Sequence, residues 1–496
     1  MKMRTTSISA KYRRSLIFLL LALTSAAATT VSFGQSESVL TFSSSDTALA
    51  RSFKWASQMA LHYKGAVTDP VGPWYESALP PRSAFCMRDV SHQSIGGEIL
   101  GLKAENKNML SLFVKNISEG KDWCTYWEMN KYGKPAPEDY RNDTAFWYNL
   151  TANFDLMTAC WRLYLWTGDS SYISGKAFRY FFDKTVHEYI NRWVLQADSL
   201  RLRPTHPNAP ASFNMKEAFS RCRGLPSYSE GVHNIKMGVD LVAAIFRGLQ
   251  TYASILDHEK QFSEANLYRE KATAYQREIE NNWWDNSDSL YYTYYSDNHK
   301  FGKTEGETFL LWFDALRNGV QKTKTIEHLL SKRWNVENSS YLPLILYKNG
   351  YPEKAYEEMM YLSSPATARR EYPEVSFGVV EAVIQGLMGI EGQAPENRIS
   401  TCYRSAKIQN STIKQLPILG TFIDVEHNGP QTSSLINKGN KSFTWRAEFA
   451  GNFKKARVGK KTKKLQHAKD ANGGAISFLD IPVGAGDAKT VKIVSR

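Results

Sequence analysis

Residues 367 to 391, TARREYPEVSFGVVEAVIQGLMGIE, constrain this chain more than any other stretch. Val375, Phe377, Val379, Val380, Val383, Ile384, Leu387 and Met388 cover nearly the whole circumference of a helix, and a helix that is apolar all round is buried on every side. Pro373 suits its first turn, where a missing N–H costs nothing. The fold must therefore wrap other elements around this helix. Glu371 and Glu374 stand at its mouth, where a carboxylate serves either helix initiation or chemistry.

The rest of the chain supplies such elements. A helical pattern ends near Tyr63, and the Pro- and Gly-rich loop from Val67 to Pro81 gives way to a helix beginning near Asp89 or Ser91. Helices are predicted at 106–119, within 144–169 with a stop at Gly168, over 171–193, at 234–256 with close i, i+3, i+4 spacing, and at 258–283 with alternating charge. Further helices follow around 304–316, 322–331, 341–348 and 353–362. A proline-bearing loop at 198–230 is long enough to suggest a functional insertion. Tyr291 to Tyr295 reads as a strand or loop. After Pro395 the pattern changes to short alternating runs, LPILGTFIDVEH, SFTWRAEFAG, AISFLDIPV and TVKIV, which read as strands of a small β-domain.

Residues 1–35 read as an export signal, with five basic residues before the apolar run Leu16 to Leu23 and cleavage after Ala28 or near Gly34. The apolar run is short for a membrane span. A periplasmic or secreted protein is expected. The net charge of +13 is uneven, since residues from 400 onward hold 17 Lys and Arg against 6 Asp and Glu. Lys454 to Lys464 carries most of it and reads as a solvated loop. Nucleic-acid binding fits an exported chain poorly, while acidic glycans are compatible partners. Five cysteines are too few and scattered for a disulfide framework or a zinc motif, although export permits a bridge such as Cys86–Cys124.

The aromatic hairpins, the junction PPRSAFCMRDVSHQ and the entry EYPEVSFGVVEA resemble the six-hairpin glycosidases, over roughly residues 40 to 395. The resemblance implies a mainly α fold. It places an (α/α)6 toroid of helical hairpins at 36–397 and a small C-terminal β-domain at 398–496. It also implies a glycoside hydrolase that inverts and needs no metal or organic cofactor. Arg88 and Asp89 match the family's early acidic junction, but Val90 stands where the rhamnosidase pattern has Glu.

Glycoside cleavage needs one carboxyl to protonate the leaving oxygen and another to activate water or attack. Asp89 and Glu374 form the leading pair. The helix dipole favours an ionised Glu374, hence a base, and leaves Asp89 as the acid. Glu307 and Glu230 come next, then Glu305, Asp143 and Glu371, all at loop-to-helix junctions. Helix-start preference explains each of these equally, and Asp89 reads as an N-cap on that account. Arg88 and Arg370 suit an acidic glycan or an ion pair with neighbouring acids. His92 and His233 suit sugar hydroxyls or a structural role. Trp74 and Trp147 are placed for stacking on a sugar. A polysaccharide lyase with a Tyr or His base, and a non-catalytic glycan-binding protein, are the competing readings.

Overall fold

The computed structural model describes residues 40–77, 82–203, 223–229, 232 and 234–494. The expected export signal lies outside these residues, as do Glu230, His233 and most of the loop at 198–230.

Among the described residues, twelve α-helices of six or more residues build the helical part. They are α1 (Thr47–His62), α2 (Met87–Ile99), α3 (Lys103–Lys115), α4 (Ala152–Thr167), α5 (Lys176–Lys184) and α6 (Val239–His258). Then come α7 (Phe262–Asn282), α8 (Glu307–Trp312), α9 (Val320–Ser331), α10 (Leu342–Lys348), α11 (Pro352–Leu362) and α12 (Pro373–Glu381). The even-numbered helices touch in sequence, α2 on α4, α4 on α6, α6 on α8, α8 on α10, α10 on α12 and α12 back on α2, which closes a ring. The odd-numbered helices pack outside, α3 against α2 and α7 against α6, for example.

This division follows from the residues. α6 is long and apolar enough to cross a membrane by length and composition, yet 83% of that window is buried inside the ring. Its neighbour α7 carries charges along its length and buries only one stripe: Ala265, Tyr268, Ala272, Tyr275 and Ile279. α12 is buried nearly all round and runs on into a π-helical turn, Ala382–Leu387.

The expectation of a mainly α fold is corrected, because the chain is 42% helix and 24% strand. Strands occur in three places. One antiparallel seven-stranded sheet runs β1 (Thr41–Ser44), β4 (Asn410–Ile418), β5 (Thr421–Asn428), β6 (Thr432–Asn437), β12 (Ala488–Ile493), β8 (Lys455–Val458), β9 (Lys461–Lys464) in spatial order. A five-stranded sheet runs β2 (Glu391–Gln393), β3 (Arg398–Cys402), β7 (Phe443–Ala450), β11 (Ala475–Val483), β10 (Gln466–Lys469). Short ladders also stiffen the helix-connecting loops, such as Ala84–Cys86 with Glu128–Asn130. The lysine-rich segment expected as a loop is the edge hairpin β8–β9, where charged side chains discourage pairing with another chain. Cys86 is a free, buried thiol, so the permitted Cys86–Cys124 bridge is not formed.

Candidate active site

Helix N-termini attract carboxylates, and the ring gathers six of them at one end. Asp89, Asp155, Asp240, Glu307 and Glu374 lie in the first turns of α2, α4, α6, α8 and α12. Glu337 lies in the helical turn Val336–Ser339 that leads into α10. Three of the six are held by neighbours. His92 Nε2 meets Asp155 Oδ1 at 2.9 Å. Asp240 accepts from the Ser227 hydroxyl at 3.1 Å and from the Tyr228 backbone N–H, and burial pushes its pKa up to about 6. Glu307, from α8, meets His328 Nδ1 of α9 at 2.5 Å.

The other three form a cluster. Burial, then the charge and side-chain hydrogen bond of Asp89, then Glu337, push the Glu374 pKa well above the usual carboxylate range. Glu374 Oε2 has no donor partner among the described residues. Two buried carboxyls in contact cannot both ionise, so one proton is held between them. This reverses the dipole argument made from sequence. A helix terminus favours the anion by about 1 kcal/mol, and burial beside a second carboxylate outweighs it. Asp89 is not the N-cap of α2 either. Cys86 occupies that position, and Asp89 lies in the first turn.

Aromatic rings surround the cluster. The Arg88 guanidinium lies 4.0 Å from the Tyr228 ring centre and 5.2 Å from that of Trp127. The Trp127 ring meets Trp147 edge-on at 4.4 Å. Tyr341 caps the start of α10. Burial and the carboxylates Glu374 and Asp89 hold its phenol pKa high. Beside them, Glu305 accepts from Asn335 Nδ2 at 2.6 Å. Its pKa is raised by burial and Glu337, against a lowering pull from Arg88.

The remaining sequence candidates sit elsewhere. Trp74 donates to Asp69 at 2.6 Å and packs on Phe85, so it supports the loop. His92 lies one turn inward from Asp89, packed on Trp312 and Tyr341. Arg370 lies over Trp55 at 4.1 Å, and Glu371 is exposed, its backbone oxygen accepting from Tyr63. Asp143 accepts from Tyr140 at 2.5 Å. Glu230 and His233 fall outside the described residues. Sequence reasoning missed Glu337, Tyr228, Tyr341 and the clamp Asp240. Only Glu337 left a local signal: Asn335, whose side chain caps the turn, precedes it by two positions.

Among the described residues no three His, Cys, Asp or Glu side chains converge as a metal-binding group. A cavity at the C-terminal ends of the inner helices includes none of the three clustered acids in its lining. The carboxyl cluster is the better candidate for catalysis, since it brings together groups that can hold and pass a proton.

No family model and no curated protein matches the chain. Solved structures match its fold. A GH78 family rhamnosidase of Bacillus sp. GL1 aligns with TM-score 0.55 at 9% identity, over 80% of this chain and 40% of that one. An alpha-L-rhamnosidase from Dictyoglumus thermophilum aligns with TM-score 0.57 at 12% identity, over 92% of this chain and 50% of that one. A protein described as a kojibiose phosphorylase from human microbiome gives TM-score 0.51 at 10% identity, over 90% and 63%. The chain thus spans half or less of these rhamnosidases. The chain shares its fold with these structures.

Proposed function

We propose that the protein is an exported glycoside hydrolase whose chemistry lies at the Asp89, Glu374 and Glu337 cluster. The contact between Asp89 and Glu374 carries this reading. An acid and a base flanking a glycosidic bond stand about 5–5.5 Å apart in retaining enzymes and about 6.5–9.5 Å apart in inverting ones. Two carboxyls at hydrogen-bonding range are too close to flank a bond, so Asp89 and Glu374 act as one proton-holding unit. Glu374 is the general acid, kept protonated by burial and by Asp89. Glu337, half-buried and close enough to raise the Glu374 pKa, is the opposing carboxyl that activates water. Arg88, fixed on Tyr228 and Trp127, orients the sugar. The resemblance to rhamnosidases supports a carbohydrate substrate with inversion at the anomeric carbon.

The lyase reading is disfavoured. A lyase tyrosine must lose its proton readily, whereas burial holds the phenols of Tyr228 and Tyr341 well above their ordinary pKa.

The test is a panel of aryl glycosides and plant and host oligosaccharides, with anomers followed by NMR. Glu374→Gln is expected to lower kcat/KM by about 10²–10⁴, the usual worth of a positioned acid. Asp89→Asn should lose less and shift the basic limb of the pH profile. Glu337→Gln at wild-type turnover, with Glu230→Gln inactive, would move the water-activating role to Glu230. Binding without product from any glycan would replace the hydrolase with a glycan-binding protein.

A further inference from the structure

Eight of the sixteen residues from 454 to 469 are Lys or Arg, and none is Asp or Glu. All eight are exposed. They belong to the hairpin β8–β9 and its continuation into β10, and β9 and β10 are edge strands of the two sheets. Lysine on an edge strand deters pairing with another chain. That reason covers β9 and stops there, because β8 and its neighbour β12 are interior strands.

Alternation sets the direction of the side chains on those two strands. Ala456, Val491 and Ile493 are buried, so Lys455, Arg457 and Lys492 point to solvent on the outer face of the sheet. The register then sets like charge against like charge. Lys455 stands directly opposite Lys464 of β9, and Arg457 directly opposite Lys492 of β12. Such pairs destabilise a ladder. Among the described residues, no carboxylate pairs with any of these four. The acids of the neighbourhood are engaged elsewhere. Asp487 pairs with Lys489 at 3.0 Å, and Asp470 accepts the backbone N–H groups of Asn472 and Gly474. Glu426 shares the outer face, but it lies two strands beyond β12, about 10 Å across the sheet, and accepts from Asn410 and Asn428.

The result is a grid of uncompensated positive charge, with positions about 5 Å apart across the strands and about 7 Å apart along them. Thr462 and Thr432 extend the Arg457–Lys492 row on either side. We propose that the outer face of β9, β8 and β12 binds a linear polysaccharide that repeats a carboxylate or sulfate along its length. A repeating anion neutralises several positions of the grid at once, which a single small anion does not. The flanking threonine hydroxyls suit sugar hydroxyls. Val494 is the exposed large apolar side chain beside the cations, too little to enter a bilayer interface. The anion follows from the four unpaired cations, and the polysaccharide rests on the glycosidase reading above.

Binding of polygalacturonate and dextran sulfate to the whole protein is measured by affinity electrophoresis and calorimetry. Methyl-esterified pectin and dextran serve as the same backbones without the charge. At least one charged polymer is expected to bind, more weakly as salt rises, and neither neutral one is. The combined variant Lys455→Gln, Arg457→Gln, Lys464→Gln and Lys492→Gln should weaken that binding at least about tenfold. Its ligand-free Tm should equal or exceed that of the parent, since opposed like charges are removed. A control variant takes the same charge from exposed lysines of the helical part, Lys54→Gln, Lys115→Gln, Lys176→Gln and Lys260→Gln, and should bind as the parent does. Equal weakening in both variants makes net charge the cause and overturns the surface, as does no binding of either charged polymer. Vesicles containing phosphatidylserine, or duplex DNA, held more tightly than both polymers overturn the polysaccharide as partner. Glu374→Gln should bind as the parent does, so polymer binding by a protein inactive on every glycoside removes the hydrolase and leaves the surface standing.

Discussion

Glu98 sits in the last turn of α2, 4% exposed, accepting from Asn106 Nδ2 at 3.1 Å and from the Tyr172 hydroxyl at 3.5 Å. Burial pushes its pKa up to about 7, against lowering by those hydrogen bonds. Below pH 4.5 the native and unfolded chains both hold this proton. Between pH 4.5 and about 7 the unfolded chain releases it and the native chain keeps it, so stability falls as pH rises. Above pH 7 the penalty is complete, on the order of 3 kcal/mol. His427 titrates with the opposite slope, its pKa pushed down to about 4 by burial. The difference between parent and Glu98→Gln isolates the glutamate. Urea denaturation at pH 4.5 and pH 8 should show the parent losing about 3 kcal/mol more than the variant, and parallel losses would refute the assignment. At this scale the sequence was partly legible. Pro373 and the apolar run located Glu374, and the loop-to-helix junction located Asp89. Which acids are absorbed was not legible, because the absorbing partners are distant. His92 and Asp155 are 63 residues apart, and Tyr228 and Asp240 meet only after the loop folds back.

The inner helices approach closely where glycine replaces a side chain. A methyl group on Gly96 of α2 would stand 2.7 Å from the Phe377 backbone oxygen of α12, and one on Gly378 of α12 would stand 2.6 Å from the Ser340 oxygen. Neither contact can be relieved by turning a side chain. Gly378→Ala is therefore expected to cost about 1–3 kcal/mol by overpacking, read as a lower denaturation midpoint. Activity should fall with it, because Ser340 lies between Glu337 and Tyr341. A variant as stable as the parent would mean that the helices are free to separate. The all-round apolar pattern made α12 and α6 legible as buried elements. Residues 144–150, where the sequence pattern predicts the start of a helix, form two short strands, Ala145–Phe146 and Tyr148–Asn149. Their bulky aromatic residues suit extended backbone, and Asn149 Oδ1 accepts the Thr151 N–H just before α4 begins.

At the scale of the whole molecule, strands after residue 398 were legible from alternation. The overall balance of helix and strand was not, since β1 and the short loop ladders have little pattern of their own. The β-sheets are tied to the ring by side chains. Trp166 donates to the Pro417 oxygen at 3.0 Å, and His427 Nε2 meets the Met388 oxygen at 3.1 Å. The proposed export carries a structural requirement. Thr41–Ser44 pair with Ser411–Lys414, so processing must end before Thr41. N-terminal sequencing of protein recovered outside the cytoplasm should begin after Ala28 or near Gly34, and a mature chain that still starts at Met1 would exclude cleavage. The same pairing sets a clock on assembly. Ser44 and its partner Asn410 are separated by 366 positions, and at roughly 5–20 residues per second of synthesis β1 waits about 20–70 s for the strand it must join. During that interval an unpaired edge is present, and anything that shields it in the cell governs how much of the chain reaches its final form.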